Sequence, residues 1–137
     1  MRRDEGTSEL VALVWLTPIV LIALGVVTYA GRVSAAKLGV FHAVDAGAQS
    51  AALVRDGAAA PDAARQAVAE VLSLDGRSCE GGPEVLTDTS DWRAGGRVSV
   101  RVTCRIRRSD LFGFAAPGSV SVTASSAAVI DTYRGLP

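Results

Sequence analysis

Between Leu10 and Gly31 the chain reads LVALVWLTPIVLIALGVVTYAG, 22 residues without one charged side chain. No other feature restricts its fate as much. As a helix rising 1.5 Å per residue the run reaches roughly 33 Å, enough for a bilayer core of about 30 Å. A cleaved secretory signal has a shorter apolar core, about 7–15 residues, followed by a small-x-small site. The length therefore predicts a retained anchor; cleavage at Ala35-Ala36, after Ser34, is the alternative. Arg2 and Arg3 precede the run, and Arg32 and Lys37 follow it, so positive charge alone does not orient it. The cysteines farther on favour an outer C-terminal part, which puts the N-terminus in the cytoplasm. The expected organisation is a cytoplasmic leader (1–9), a transmembrane helix (10–31) bound to membrane lipid, and an extracytoplasmic domain (32–137).

Pro18 sits a third of the way into this helix, where it removes a backbone donor and loosens the turn before it. Thr17 is placed to serve a freed carbonyl with its hydroxyl. Tyr29 lies at the outer end, where an amphipathic ring suits the headgroup zone. Trp15 lies deeper and suits packing against lipid or a neighbouring helix.

Apolar residues make up 49% of the 137 and aromatics only 5%, so any core must be built from Ala, Val and Leu. The formal net charge is zero, which gives no footing for nucleic-acid binding. Two cysteines, Cys79 and Cys104, and one histidine, His42, lack the spacing of a zinc site, and no cofactor is expected. In an exported domain the cysteine pair reads as a disulfide. It would close a loop of about 26 residues, worth roughly 3–4 kcal/mol on the chain-entropy model. Two buried free thiols are the alternative.

After Gly31 the helical pattern continues. Val33, Ala36, Val40, Val44, Gly47 and Ala51 recur every three to four residues, with Leu38 and Phe41 flanking the stripe. Small residues on such a face let helices approach closely. The helix is expected to reach about Arg55, stopped by Asp56-Gly57 and Pro61. A second helix fits Pro61–Leu74, with Pro61 and Asp62 in its first turn and Ala64, Val68, Val71 and Leu72 on one face. Asp75-Gly76 ends it. The segment from Arg77 to Gly96 reads as loop with a short strand at Glu84–Thr87. Arg97–Arg107 alternates strictly: Val98, Val100, Val102, Cys104 and Ile106 on one side, Arg97, Ser99, Arg101, Thr103, Arg105 and Arg107 on the other. Ser119–Ile130 reads as a further strand, and Asp110–Gly118, with Leu111, Phe112 and Phe114, links the two. The fold class predicted is α+β: a long N-terminal helix and a second helix on a small antiparallel sheet with one disulfide.

The N-terminal stretch RRDEGTSELVALVWLTPIVLI carries basic Arg2 and Arg3, then Gly6, then Glu9 opening an apolar helix that contains Pro18. The C-terminal part carries RVSVRVTCRIRR, a Leu/Phe loop with PGS, and SVSVTASSAAVIDTYRG. In that order these motifs resemble TadE-like proteins of the high-GC Gram-positive type, minor pilins or pseudopilins of the tight-adherence (Flp-type) pilus system. The resemblance spans nearly the whole chain. It implies a prepilin-peptidase cut between Gly6 and Thr7, and a Glu9 carboxylate that pairs with the freed amine of a neighbouring subunit. A cut there leaves Glu9 three residues on, where the family pattern has five. The other role for Glu9 is a solvated carboxylate at the cytoplasmic headgroups.

His42, with Asp45 three residues on, has no second residue to support catalysis. No G-x-S-x-G elbow is present, and Gly81-Gly82 and Gly95-Gly96 read as turns. The expected function is therefore non-enzymatic. The chain reads as a membrane-anchored pilin-like subunit whose helix associates with like helices. Its expected partners are the pilus assembly platform, other minor pilins and a prepilin peptidase. A membrane-tethered binding module that never enters a filament is the alternative. Phe112 and Phe114 are candidates for core caps or for partner contacts.

Overall fold

A computed structural model describes the backbone of residues 4–76, 78–113 and 115–133, and the side chains of the same residues except 4–10 and 112. The elements in order are α1 (Asp4–Leu53), a 3-10 turn (Gly57–Ala59), α2 (Ala60–Leu74), β1 (Glu84–Asp91), β2 (Arg97–Arg107), α3 (Arg108–Phe112) and β3 (Ser119–Val129). The fold is α+β, as the sequence predicts. Two units divide it, Met1–Ser34 and Ala35–Pro137, and α1 contributes to both.

The first unit is helical throughout its described length, with Pro18 inside. Proline has no N–H, so the Val14 carbonyl four residues back loses its helical donor. The Thr17 hydroxyl donates to the Leu13 carbonyl at 2.8 Å, one residue earlier than the one Pro18 frees. Thr28 likewise donates to the carbonyls of Leu24 and Gly25, both at 2.9 Å. These hydroxyls are thereby satisfied inside their own helix and leave its surface apolar.

In the second unit β2 is the middle of a three-stranded antiparallel sheet ordered β1-β2-β3. Alternation along β2 decides which face is core: Val98, Val100, Val102, Cys104 and Ile106 are all buried, and the residues between them face out. The register carries this alternation to both neighbours, setting Val85 against Val102, Ala124 against Val102 and Val122 against Cys104. Against this face pack the later part of α1 (Ala36, Val40, Ala43, Val44, Ala48 and Ala51) and α2 (Ala60, Ala64, Val68 and Leu72). The largest fully buried side chains are Ile130 and a set of valines, as the scarcity of rings in the composition requires.

Gly47 shows why the stripe on α1 is small. A Cβ there would lie 2.8 Å from Val68 Cγ2, 3.4 Å from the Ala64 carbonyl oxygen and 3.7 Å from Val100 Cγ1. Helices α1 and α2 and strand β2 converge at this residue. Asp45, two residues before Gly47 and exposed, accepts from Gln49 at 2.9 Å and from the Ser126 hydroxyl at 3.0 Å, which fastens α1 to β3.

Three elements differ from expectation. Strand β1 continues past Thr87 to Asp91, because β2 supplies partners for its polar end: Asp88 opposes Ser99 and Asp91 opposes Arg97 across a bulge. The Asp110–Gly118 link is preceded and opened by the short helix α3, which buries Leu111. Helix α1 stops at Leu53, two residues before Arg55, where Asp56 caps the next turn by accepting the Ala58 N–H at 3.0 Å.

Candidate functional site

The chemistry of this chain lies on surfaces. The first is the apolar girdle of α1. From Val11 to Val27 its large side chains are 47–73% exposed, Trp15 most of all, and they point to every side of the helix. A helix hydrophobic all round has no face to give to water, and this one is long and apolar enough to cross a membrane. Leu13, Leu16, Thr17, Val20 and Leu21 line a shallow depression beside Pro18.

A second apolar patch lies farther along the same helix. Leu38 and Phe41, expected to flank the buried stripe, are 59% and 50% exposed. They sit three positions apart and so share a face. His42 is exposed nearby, and Asp45 is engaged by Gln49 and Ser126.

The cysteines pair. Cys79 and Cys104, 25 positions apart in sequence, form a disulfide with their Cα atoms 5.1 Å apart. Cys104 is buried on the core face of β2, and Cys79 is half-buried in the segment leading into β1. The Glu80 N–H donates to the Arg105 carbonyl at 2.7 Å beside the bridge. Together they fasten the stretch before β1 to the middle strand.

The third surface is the sheet face that no helix covers. It presents Arg97, Arg101, Arg105 and Arg107 from β2, all exposed. Across from Arg101, Arg105 and Arg107 stand Ser125, Ser121 and Ser119 of β3. Of the acids of β1, Glu84 opposes Thr103 and Asp88 opposes Ser99, and Asp91, past the bulge, opposes Arg97. Asp88 is turned onto its own strand, accepting the Ser90 backbone N–H at 2.9 Å. That bond first, and the Ser90 hydroxyl second, hold its carboxyl below the usual carboxylate range against a smaller opposing effect of desolvation.

Gly6, Thr7 and Glu9 lie in the first turns of α1, with their side chains outside the described residues. Phe112 closes α3 with its side chain likewise outside, and Phe114 lies outside the described residues altogether. Gly81, Gly82 and Gly95 adopt positive φ in turns, as expected of them. One contact escaped the sequence: Gly57 abuts the indole of Trp92, where a Cβ would meet ring atoms at 2.9–3.2 Å. The glycine is visible as a helix stop, but nothing local to it points to a ring so far along the chain.

Set against known protein families, curated proteins and solved structures, the chain matches none of them.

Proposed function

We propose that this chain is a single-pass, membrane-anchored, pilin-like subunit, with its N-terminus in the cytoplasm and its disulfide-bonded domain outside. It contributes to assembly of a tight-adherence pilus or a related secretion machine through lateral packing of α1 with similar helices. The observation that supports this most is the apolar surface of α1. It is uncovered from Val11 to Val27, and again at Leu38 and Phe41 beyond the bilayer-length run. Lipid accounts for the first stretch. The second calls for a protein neighbour, because an exposed Leu/Phe pair on a helix is the kind of face that a like helix buries. The disulfide fits an oxidising outer compartment. The motifs around Gly6, Glu9 and Pro18 supply the resemblance to TadE-like proteins.

Two measurements test the reading. Phe41→Cys and Leu38→Cys, placed singly in the native cell and oxidised, are expected to give crosslinked pairs between copies or with another pilin-like subunit. Gln66→Cys, exposed on α2, is the control. Absence of any α1 crosslink, together with normal pili in a deletion strain, overturns it. The intact mass of the membrane-extracted protein without reductant is expected to lack residues 1–6 and two cysteine hydrogens. A full-length mass removes the processing step at Gly6-Thr7.

A further inference from the structure

The uncovered sheet face is not used by anchoring or by helix packing. Four arginines follow one another along the middle strand over about 33 Å. Three of them directly face a serine on β3: Arg101 with Ser125, Arg105 with Ser121 and Arg107 with Ser119. Thr103 and Thr123 pair between these, their hydroxyl oxygens 3.3 Å apart. The result is a row of guanidinium and hydroxyl donors, repeated along the strand. Among the described residues the one ion pair made by these arginines is a long one, Arg107 to Glu80 at 3.9 Å. The whole chain is charge-neutral, and this face is divided: the β1 side carries Glu84 and Asp88 opposite neutral residues and Asp91 opposite Arg97, while the β3 side offers the arginines hydroxyls and no acid.

We infer that this face binds a linear, flexible phosphodiester polymer of the alditol-phosphate class, laid along β2 with its phosphates on the arginine–serine pairs. Charge complementarity and shape select that partner. Guanidinium and hydroxyl groups donate to the non-bridging oxygens of a phosphate, and Arg does so in a two-pronged fork. A straight row suits a chain better than a flat bilayer. The outward positions of the three strands include only Leu86, Ala127 and Val129 as apolar residues, too few to seat in lipid. They include no aromatic residue, and stacking platforms are what single-stranded nucleic acids require. That the polymer belongs to the cell envelope rests on the outward orientation proposed above; binding in vitro does not.

The test uses the full chain in nanodiscs of neutral lipid, titrated with poly(glycerol phosphate) at 50 mM salt. Saturable binding is expected, weakening at least 10-fold at 200 mM salt. Arg101→Gln/Arg105→Gln/Arg107→Gln together are expected to weaken it at least 30-fold, and Ser121→Ala/Ser125→Ala about 3-fold. Arg65→Gln, on α2, leaves it unchanged. An unaltered melting curve for the arginine variant separates lost binding from lost fold; if that variant melts early, Arg101→Gln alone is expected to cost about 3-fold. No binding at 50 mM salt, or equal binding by the triple variant, overturns the inference. Tighter binding per phosphate to single-stranded DNA, or to phosphatidylglycerol vesicles, overturns it in favour of those partners. The α1 crosslinks are read in cells and this titration in nanodiscs, so either proposal fails without the other.

Discussion

From Val11 to Val27, α1 carries large side chains on all sides, each 47–73% exposed; from Ala36 to Ala52 it carries a seam of small residues that are at most 9% exposed. One helix thus meets two demands. On the anchored reading proposed above, bulk is useful in the first stretch, because each apolar atom facing hydrocarbon favours insertion and no partner limits its size. In the second, smallness is useful, because Val68 and Val100 come within contact distance of the Gly47 position. Hydrophobicity alone does not distinguish the two stretches; side-chain volume does.

Charge breaks this comparison most strongly. Leu21→Asp/Ile22→Asp is expected to cost about 5–7 kcal/mol of membrane insertion, at roughly 2.5–3.5 kcal/mol per acidic residue near a helix centre. The protein should then leave the membrane fraction on carbonate extraction, while Leu38→Asp should not move it. Opening the disulfide comes next. Cys79→Ser/Cys104→Ser is expected to remove about 3–4 kcal/mol from the second unit, measured by urea unfolding, with no change in membrane partitioning. Glycine substitutions sharpen the contrast further. Gly47→Val is expected to lose about 1–3 kcal/mol by overpacking against Val68. Gly25→Val, where a Cβ meets nothing within 4 Å, should cost nothing in the same assay.

The smallest effect is one of pH. Hydrogen bonds from Ser90 lower the Asp88 pKa in the folded protein. Its contribution to stability is therefore complete above the unfolded value of about 3.9 and is lost as pH falls through the lower folded value. Asp88→Asn is expected to lower Tm slightly near neutrality, where the charged form contributes fully, and to converge on the parent curve as pH falls through the folded value, so that its acid limb is flatter. Equal Tm values at pH 7, or a gap that widens toward acid pH, would show that the Ser90 bonds do not favour the charged carboxylate.

How far the sequence carries depends on where each element gets its reason to exist. Strand β2 is legible because its alternation is strict, and α2 because Pro61, Asp62 and Gly76 mark its ends. The cysteine pair is legible because only two are present. The latter half of β1 is not legible: TDTSD has no apolar alternation, and it is a strand because β2 offers it a ladder. Nor is α3, five residues long, whose buried Leu111 lies in a segment that composition reads as a link. Of the surfaces, the girdle and the arginine side of β2 are plain from residue order. The serines that face those arginines require the register, and the exposure of Leu38 and Phe41 requires knowing where the seam lies.

The tie between Asp45 and Ser126 has a consequence for how the protein is made. Its two ends are 81 positions apart, so at about 5–20 residues per second the ribosome needs roughly 4–16 seconds to deliver the second after the first. Early in that interval, before α2 and β2 emerge to cover it, the newborn helix has its seam bare. A seam of alanine, glycine and valine offers chaperones and stray chains little to grip. Modest side chains there protect an unfinished molecule as well as closing a finished one.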